Sequence, residues 1–285
     1  LGVDFVALSF VRSYKDILEL RAILKKLKSD AMIIAKIETL EAIEGIDEII
    51  EHSDGIMVAR GDLAIEVGAP LVPGLQKMII KKCNDLGKPV ITATQMLESM
   101  IHSPVPTRAE VSDIANAIFD GTDAVMLSEE TTLGEHPVRA VETMVQVALQ
   151  TENDTKTHRR YKVRPDTIVD SVSSSVVHNA EDTDAKAIVA LTESGFTARM
   201  VSRYKPVQPV FAFSPNERTA QRLTLSYGCY PFIISPFKYV SDVTDTVREV
   251  LKKQGIAKKG DRAVIAAGVP FGKEGGTNMM LILTL

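Results

Sequence analysis

Five short apolar runs recur along the first half of the chain, each followed by a segment of helical periodicity. The runs 4-DFVALSF-10, 31-AMIIAKIE-38, 55-GIMVARGD-62, 88-KPVITATQ-95 and 123-DAVMLSEE-130 begin 27, 24, 33 and 35 positions apart. That interval suits a strand plus a crossover helix. Near-continuous apolar character suits parallel strands covered on both faces. Between the runs, Ser13 and Asp16 read as a capping box, and Ile17, Leu20, Leu24 and Leu27 share one helix face. Pro73 opens a helix that Gly87 closes, and Thr107 with Glu110 forms a second capping box. The pattern predicts a row of βα units in a parallel α/β barrel. Five strands do not close an eight-stranded barrel. The chain also starts at Leu1 rather than Met, on strand-like sequence. Both features suggest a piece of a longer protein.

Segment 151-TENDTKTHRRYKVRP-165 is polar and reads as a linker, dividing the chain at 150/151. Beyond it, strands are expected at 187–192, 210–214, 231–234, 262–268 and 278–285, with helices at 166–181, 195–204, 216–226 and 241–254. This is a smaller α/β domain with helices on both faces of a mixed sheet. The short loop 269–277 makes the last two strands antiparallel.

Composition excludes several classes of function. A net charge of −4 and a pI near 5.8 favour neither nucleic acid nor an anionic membrane as partner. Five per cent aromatics and no Trp supply no base-stacking platform. Cys83 and Cys229 match no metal spacing and suit a reducing compartment. There is no secretory leader and no apolar run of membrane-spanning length.

Every strand of the first half ends in polar residues: Ser9, then Lys36 and Glu38, then Arg60 and Asp62, then Thr94 and Gln95, then Ser128, Glu129 and Glu130. In parallel barrels the C-terminal strand ends carry the chemistry. The stretch 56-IMVARGDLAIEV-67 admits a turn, an Arg-Gly-Asp adhesion tripeptide or a site element. Adhesion fails, because the tripeptide continues an apolar strand in a chain without a secretion signal. Lys36 and Glu38 point to one side of a strand. They read either as a buried ion pair or as a site in which Glu38 and Asp62 share Mg²⁺ (or Mn²⁺) while Lys36 stabilises negative charge. Gly61 admits a ligand close to the backbone, a helix starting near Asp62 would offer N–H groups, and Thr94 adds a hydroxyl. This set suits a phosphorylated carboxylic acid. His52, His102, His136, His158 and His178 are scattered through helical or loop segments and form no metal triad. Glu129 and Glu130 read as metal-related or as a solvated rim. In the second half, Thr192, Ser194, Gly195 and Thr197 read either as a phosphate cradle or as a plain helix cap.

The motifs 31-AMIIAKIE-38, 53-SDGIMVARGDLAIE-66, 87-GKPVITATQMLESM-100, 106-PTRAE-110 and 126-MLSEET-131 resemble the pyruvate kinase family, in that family's order. The resemblance implies strands 4–8 of a TIM (β/α)8 barrel followed by the family's C-terminal regulatory domain. It implies Lys36 as the catalytic lysine, Glu38 and Asp62 as Mg²⁺ ligands, and Ala59, Arg60 and Gly61 backbone with Thr94 for phosphoenolpyruvate. Ser9 and Phe10 would line the pocket, and Thr94 with Ser128 would lie on a proton route. ADP and ATP are the implied partners, in a cytoplasmic homotetramer. K⁺ is implied too, but its ligands, the first three strands and the lid domain belong to a segment this chain lacks. The 285 residues alone are therefore expected to be inactive. Glu193 and Phe196 stand where the family's effector loop often has Lys and Arg, so a phosphorylated effector other than fructose 1,6-bisphosphate is expected. Two rivals are a phosphoenolpyruvate- or pyruvate-type Mg²⁺ lyase or aldolase, and a non-catalytic effector-binding or assembly module.

Overall fold

The computed structural model describes residues 2–155, 166–236, 240–270 and 276–285. The chain forms two compact units, Leu1–Arg159 and Arg160–Leu285.

In the first unit, strands β1 (Phe5–Leu8), β2 (Met32–Ile37), β3 (Gly55–Ala59), β4 (Val90–Ala93) and β5 (Ala124–Met126) form one parallel sheet in chain order. Helices α1 (Tyr14–Lys26), α2 (Leu40–Glu44), α3 (Ile46–His52), α4 (Arg60–Val67), α5 (Val72–Leu86), α6 (Arg108–Asp120), α7 (Glu129–Thr132) and α8 (Pro137–Thr155) fill the connections. Central strands β3 and β4 are buried throughout, whereas β1 and β5 are only partly buried. Each of those two has a single neighbouring strand.

Strand alternation sorts the side chains. Ile33, Ala35 and Ile37 of β2 join Ile56 and Val58 of β3 in a core with Ile17, Ile49, Leu63, Ile79 and Ile80 from the helices. Lys36 therefore occupies the opposite face. Helix α1 buries Ile17 and Leu24, but Leu27 is exposed, because the helix ends at Lys26 and Leu27 is its C-cap. Gly87 closes α5 with φ 65°, and the Thr107–Glu110 capping box is formed.

The second unit holds β6 (Ala187–Leu191), β7 (Val210–Ser214), β8 (Cys229–Ile233), β9 (Arg262–Ala267) and β10 (Met279–Thr284), in the order β10-β9-β6-β7-β8. Among the described residues of this unit, only the β9–β10 pairing is antiparallel. Helices α9 (Ile168–Asp182), α10 (Phe196–Ser202) and α11 (Glu217–Leu223) supply Val176, Val201 and Leu223 to a core with Ile188 and Ala190 of β6. Helix α12 (Val240–Lys253) covers the other face, packing Val243, Val247 and Leu251 on Ala187, Val189 and Leu191. At the start of α9, Asp170 bonds the Thr167 N–H at 3.0 Å and pairs with the buried Arg203. Burial alone would raise the Asp170 carboxyl, but the Thr167 bond and the Arg203 charge hold it below its ordinary value.

The polar segment 151–165 begins as the last turn of α8, and residues 156–165 lie outside the described residues, as do 271–275 of the 269–277 loop. No single helix among the described residues is long and apolar enough to cross a membrane.

Candidate active site

The polar strand ends of the first sheet form two hydrogen-bonded groups on neighbouring strands. The first joins β1 to β2. Lys36 Nζ donates to Ser9 Oγ at 2.9 Å and lies 2.8 Å from Glu38 Oε1. The other Glu38 oxygen, Oε2, accepts the Phe10 N–H at 2.6 Å. Glu38 is 1% exposed. Despite the nearby ammonium, its Oε1 receives no hydrogen bond. Oε1 is thus held by the Lys36 charge at 2.8 Å rather than by an aligned hydrogen bond.

The second group joins β3 to β4. The run 55–62 reads from sequence as a strand through Asp62. The strand instead ends at Ala59, and Arg60 is the first residue of α4. The charged residues therefore mark a strand-to-helix turn. Gly61 N–H donates to Thr94 Oγ1 at 2.8 Å, so Thr94 acts as a cap from the next strand. An incoming anionic oxygen would compete for that N–H. Thr94 and Gln95 adopt left-handed backbone, φ 67° and 54°. Strain of this kind concentrates at functional sites. Ala59 and Ala93 are paired across the two strands.

Asp62 sits in the first turn of α4 and is exposed, with no hydrogen bond or ion pair to another described residue. Arg60, by contrast, is buried. It pairs with Asp113 at 2.5 Å and donates to the Ala93 and Thr94 carbonyls at 3.3 and 2.6 Å. The family resemblance gives a use to the Arg60 backbone but none to its side chain. Asp113, on α6, carried no signal.

Ser128 stands apart, bonded within its own turn. Its N–H donates to Glu130 Oε2 at 2.7 Å, and its carbonyl accepts from the Thr131 and Thr132 hydroxyls. Glu130 is not part of a solvated rim. It is 2% exposed, and its other oxygen accepts the Leu97 N–H at 3.1 Å. It ties the end of β5 to the loop after β4.

In the second unit Thr192 is buried and Ser194 exposed, and Gly195 caps α10 with φ 84°. The Thr197 hydroxyl is buried and bonded to the Thr277 hydroxyl at 2.9 Å. Among the described residues no three His, Cys, Asp or Glu side chains converge on a metal position. Cys83 and Cys229 are free thiols.

Residues 1–141 match the family model for the pyruvate kinase barrel domain, and residues 170–283 match that for the pyruvate kinase alpha/beta domain. The chain belongs to the pyruvate kinase family. It is 50% identical over 289 residues to a pyruvate kinase of Geobacillus stearothermophilus, covering 99% of this chain and 49% of that protein. It is 46% identical over 286 residues to a pyruvate kinase of Clostridium acetobutylicum, covering 98% and 60%. A crystal structure of a pyruvate kinase from Cryptosporidium parvum superposes with a TM-score of 0.89 at 37% identity, covering 99% of this chain and 59% of that one. The chain thus spans about half the length of the curated relatives it matches. Both hydrogen-bonded strand-end groups lie within the part matched to the pyruvate kinase barrel domain.

Proposed function

We propose that the protein transfers the phosphoryl group of phosphoenolpyruvate to ADP, giving pyruvate and ATP. The observation that carries this reading is the pairing of Lys36 with the buried Glu38 at the end of β2, beside the β3–β4 ends that carry the Gly61–Thr94 junction. In the reaction the bond between phosphorus and the enol oxygen breaks, and a terminal ADP oxygen takes the phosphoryl group. The enolate left behind gains a proton at its methylene carbon. The Lys36 ammonium neutralises charge on the transferring group and on the enolate. The head of α4, with Gly61 and Thr94, receives anionic oxygens, and Ser9 and Phe10 border the lysine. Thr94 and Ser128 lie on the route of the proton.

Glu38 and Asp62 fit a hard divalent cation. One would offer a buried carboxylate now paired with Lys36, the other an exposed carboxylate, and waters and substrate oxygens would complete the shell. Mg²⁺ or Mn²⁺ there would neutralise the substrate's carboxylate and phosphate oxygens. K⁺ receives no ligand set from the described residues and no step here. A cytoplasmic homotetramer is part of the same reading, as is a phosphorylated effector at Thr192, Ser194, Gly195 and Thr197.

The test is pyruvate formation by the full-length protein with Mg²⁺ and phosphoenolpyruvate, with and without ADP. Pyruvate that requires ADP and appears with an equal amount of ATP is the expected result. Consumption of phosphoenolpyruvate without ADP would instead support a lyase or aldolase. No consumption together with a stable oligomer would support an assembly module.

A further inference from the structure

We propose that Arg60 is a positioning residue, whose buried guanidinium holds the left-handed turn at Thr94 and Gln95 and so keeps the Thr94 hydroxyl at the head of α4. The inference rests on reading this junction as part of the substrate site. A guanidinium with 7% exposure needs partners for its charge and its donors. Asp113 supplies the charge. The remaining donors converge on one short stretch of chain: the Ala93 carbonyl, the Thr94 carbonyl and Met96 Sδ, with Gln76 Oε1 at 3.5 Å beside them. Two of these bonds therefore grip the carbonyls on either side of the Thr94 α-carbon.

That stretch needs an external hold. A β-branched residue at φ 67° is a conformational outlier, and Gln95 beside it is left-handed as well. The next residue after Arg60 completes the grip, because the Gly61 N–H bonds the Thr94 hydroxyl. Consecutive residues of α4 thus hold Thr94 by its backbone and by its side chain. Gln76 of α5 links this assembly to Asp120 at the end of α6. Charge alone does not explain the arrangement. A lysine could neutralise Asp113, but only a planar fork reaches two carbonyls and a carboxylate together.

The experiment is a double-mutant cycle on kcat/KM for phosphoenolpyruvate in the full-length protein, using Arg60→Lys, Thr94→Ala and the double variant. Arg60→Lys retains the charge and is expected to lower kcat/KM about 10- to 100-fold through a displaced Thr94. The double variant should be no worse than the more impaired single variant. Losses that multiply would overturn the proposal. Asp113→Asn keeps Arg60 and loosens its anchor. It should lower kcat/KM in the Thr94 background but not in the Thr94→Ala background, and an equal loss in both would also overturn it. The two readings fail separately. Wild-type kcat/KM in Thr94→Ala removes the substrate-site reading and the proposal with it. An impaired Thr94→Ala with multiplicative losses removes the positioning role alone.

Discussion

Phe10 donates its backbone N–H to Glu38 Oε2 at 2.6 Å while holding a left-handed conformation, φ 53°. For an L residue that region is unfavourable by about 1–2 kcal/mol, and the side chain is 62% exposed, so packing contributes little in return. The N–H rather than the ring is what Glu38 uses. Phe10→Gly should therefore not lower the melting temperature, and Mn²⁺ affinity measured by paramagnetic resonance should stay unchanged. Loss of Mn²⁺ binding in Phe10→Gly would show that the ring, not the backbone, serves the carboxylate.

Lys36 has a hydroxyl and a carboxylate as neighbours but only moderate exposure, 24% of its side chain. Lys36→Met should lower kcat about 100- to 1,000-fold, the usual effect of deleting one preorganised charge-stabilising donor. KM for phosphoenolpyruvate should change much less. A kcat within a few-fold of wild type would relegate the pair to a structural ion pair.

Gly55 and Gly61 flank the same strand but differ in what a methyl would meet. At Gly55 it would lie 2.7 Å from Ile34 Cδ1 and 3.0 Å from the Pro89 carbonyl oxygen, so both the Ile34 side chain and the Pro89 backbone would have to shift. At Gly61 it would find only Thr94, at an ordinary 3.6 Å. Gly55→Ala should destabilise the fold. Gly61→Ala should leave thermal stability equal or raise it by up to about 1 kcal/mol, from helix propensity, while raising KM for phosphoenolpyruvate. Unchanged KM in Gly61→Ala would mean that no ligand approaches this backbone.

Glu110 gathers the Ser99 N–H and hydroxyl and the Thr107 N–H and hydroxyl, at 2.6–2.9 Å. Burial alone would raise its carboxyl, but these bonds outweigh it and hold the group below the ordinary value. A depressed carboxyl contributes stability above its unfolded-state pKa, 4.5, and loses it as pH falls through the lower folded value. Glu110→Gln should cost about 1 kcal/mol at neutral pH, the typical loss of a helix cap. The gap from wild type should close in acid. A gap that is constant from pH 7 to pH 3 would contradict this.

The βα spacing, the caps at Thr107 and Gly87 and the alternation in β2 were legible because each depends on neighbours in sequence. Lys36 and Glu38 stood out for the same reason, as charges two apart in an apolar strand. Arg60 was not legible. Its partners are 33, 34 and 53 positions away, and nothing local distinguishes a buried fork from a surface charge. The solvated-rim reading of Glu130 failed likewise, since the Leu97 N–H that it binds is 33 positions away. The motif 106-PTRAE-110 proves to include a helix cap, so part of its strength as a signature is structural.

On the proposed function, the phosphoryl group moves at the Lys36–Glu38 strand end. The decisive measurement traces labelled phosphoenolpyruvate into ATP with the full-length protein and its Lys36→Met variant. Label is expected to reach ADP in the unsubstituted protein, with a loss of about 100-fold or more in the variant. Equal transfer by both proteins would contradict that placement.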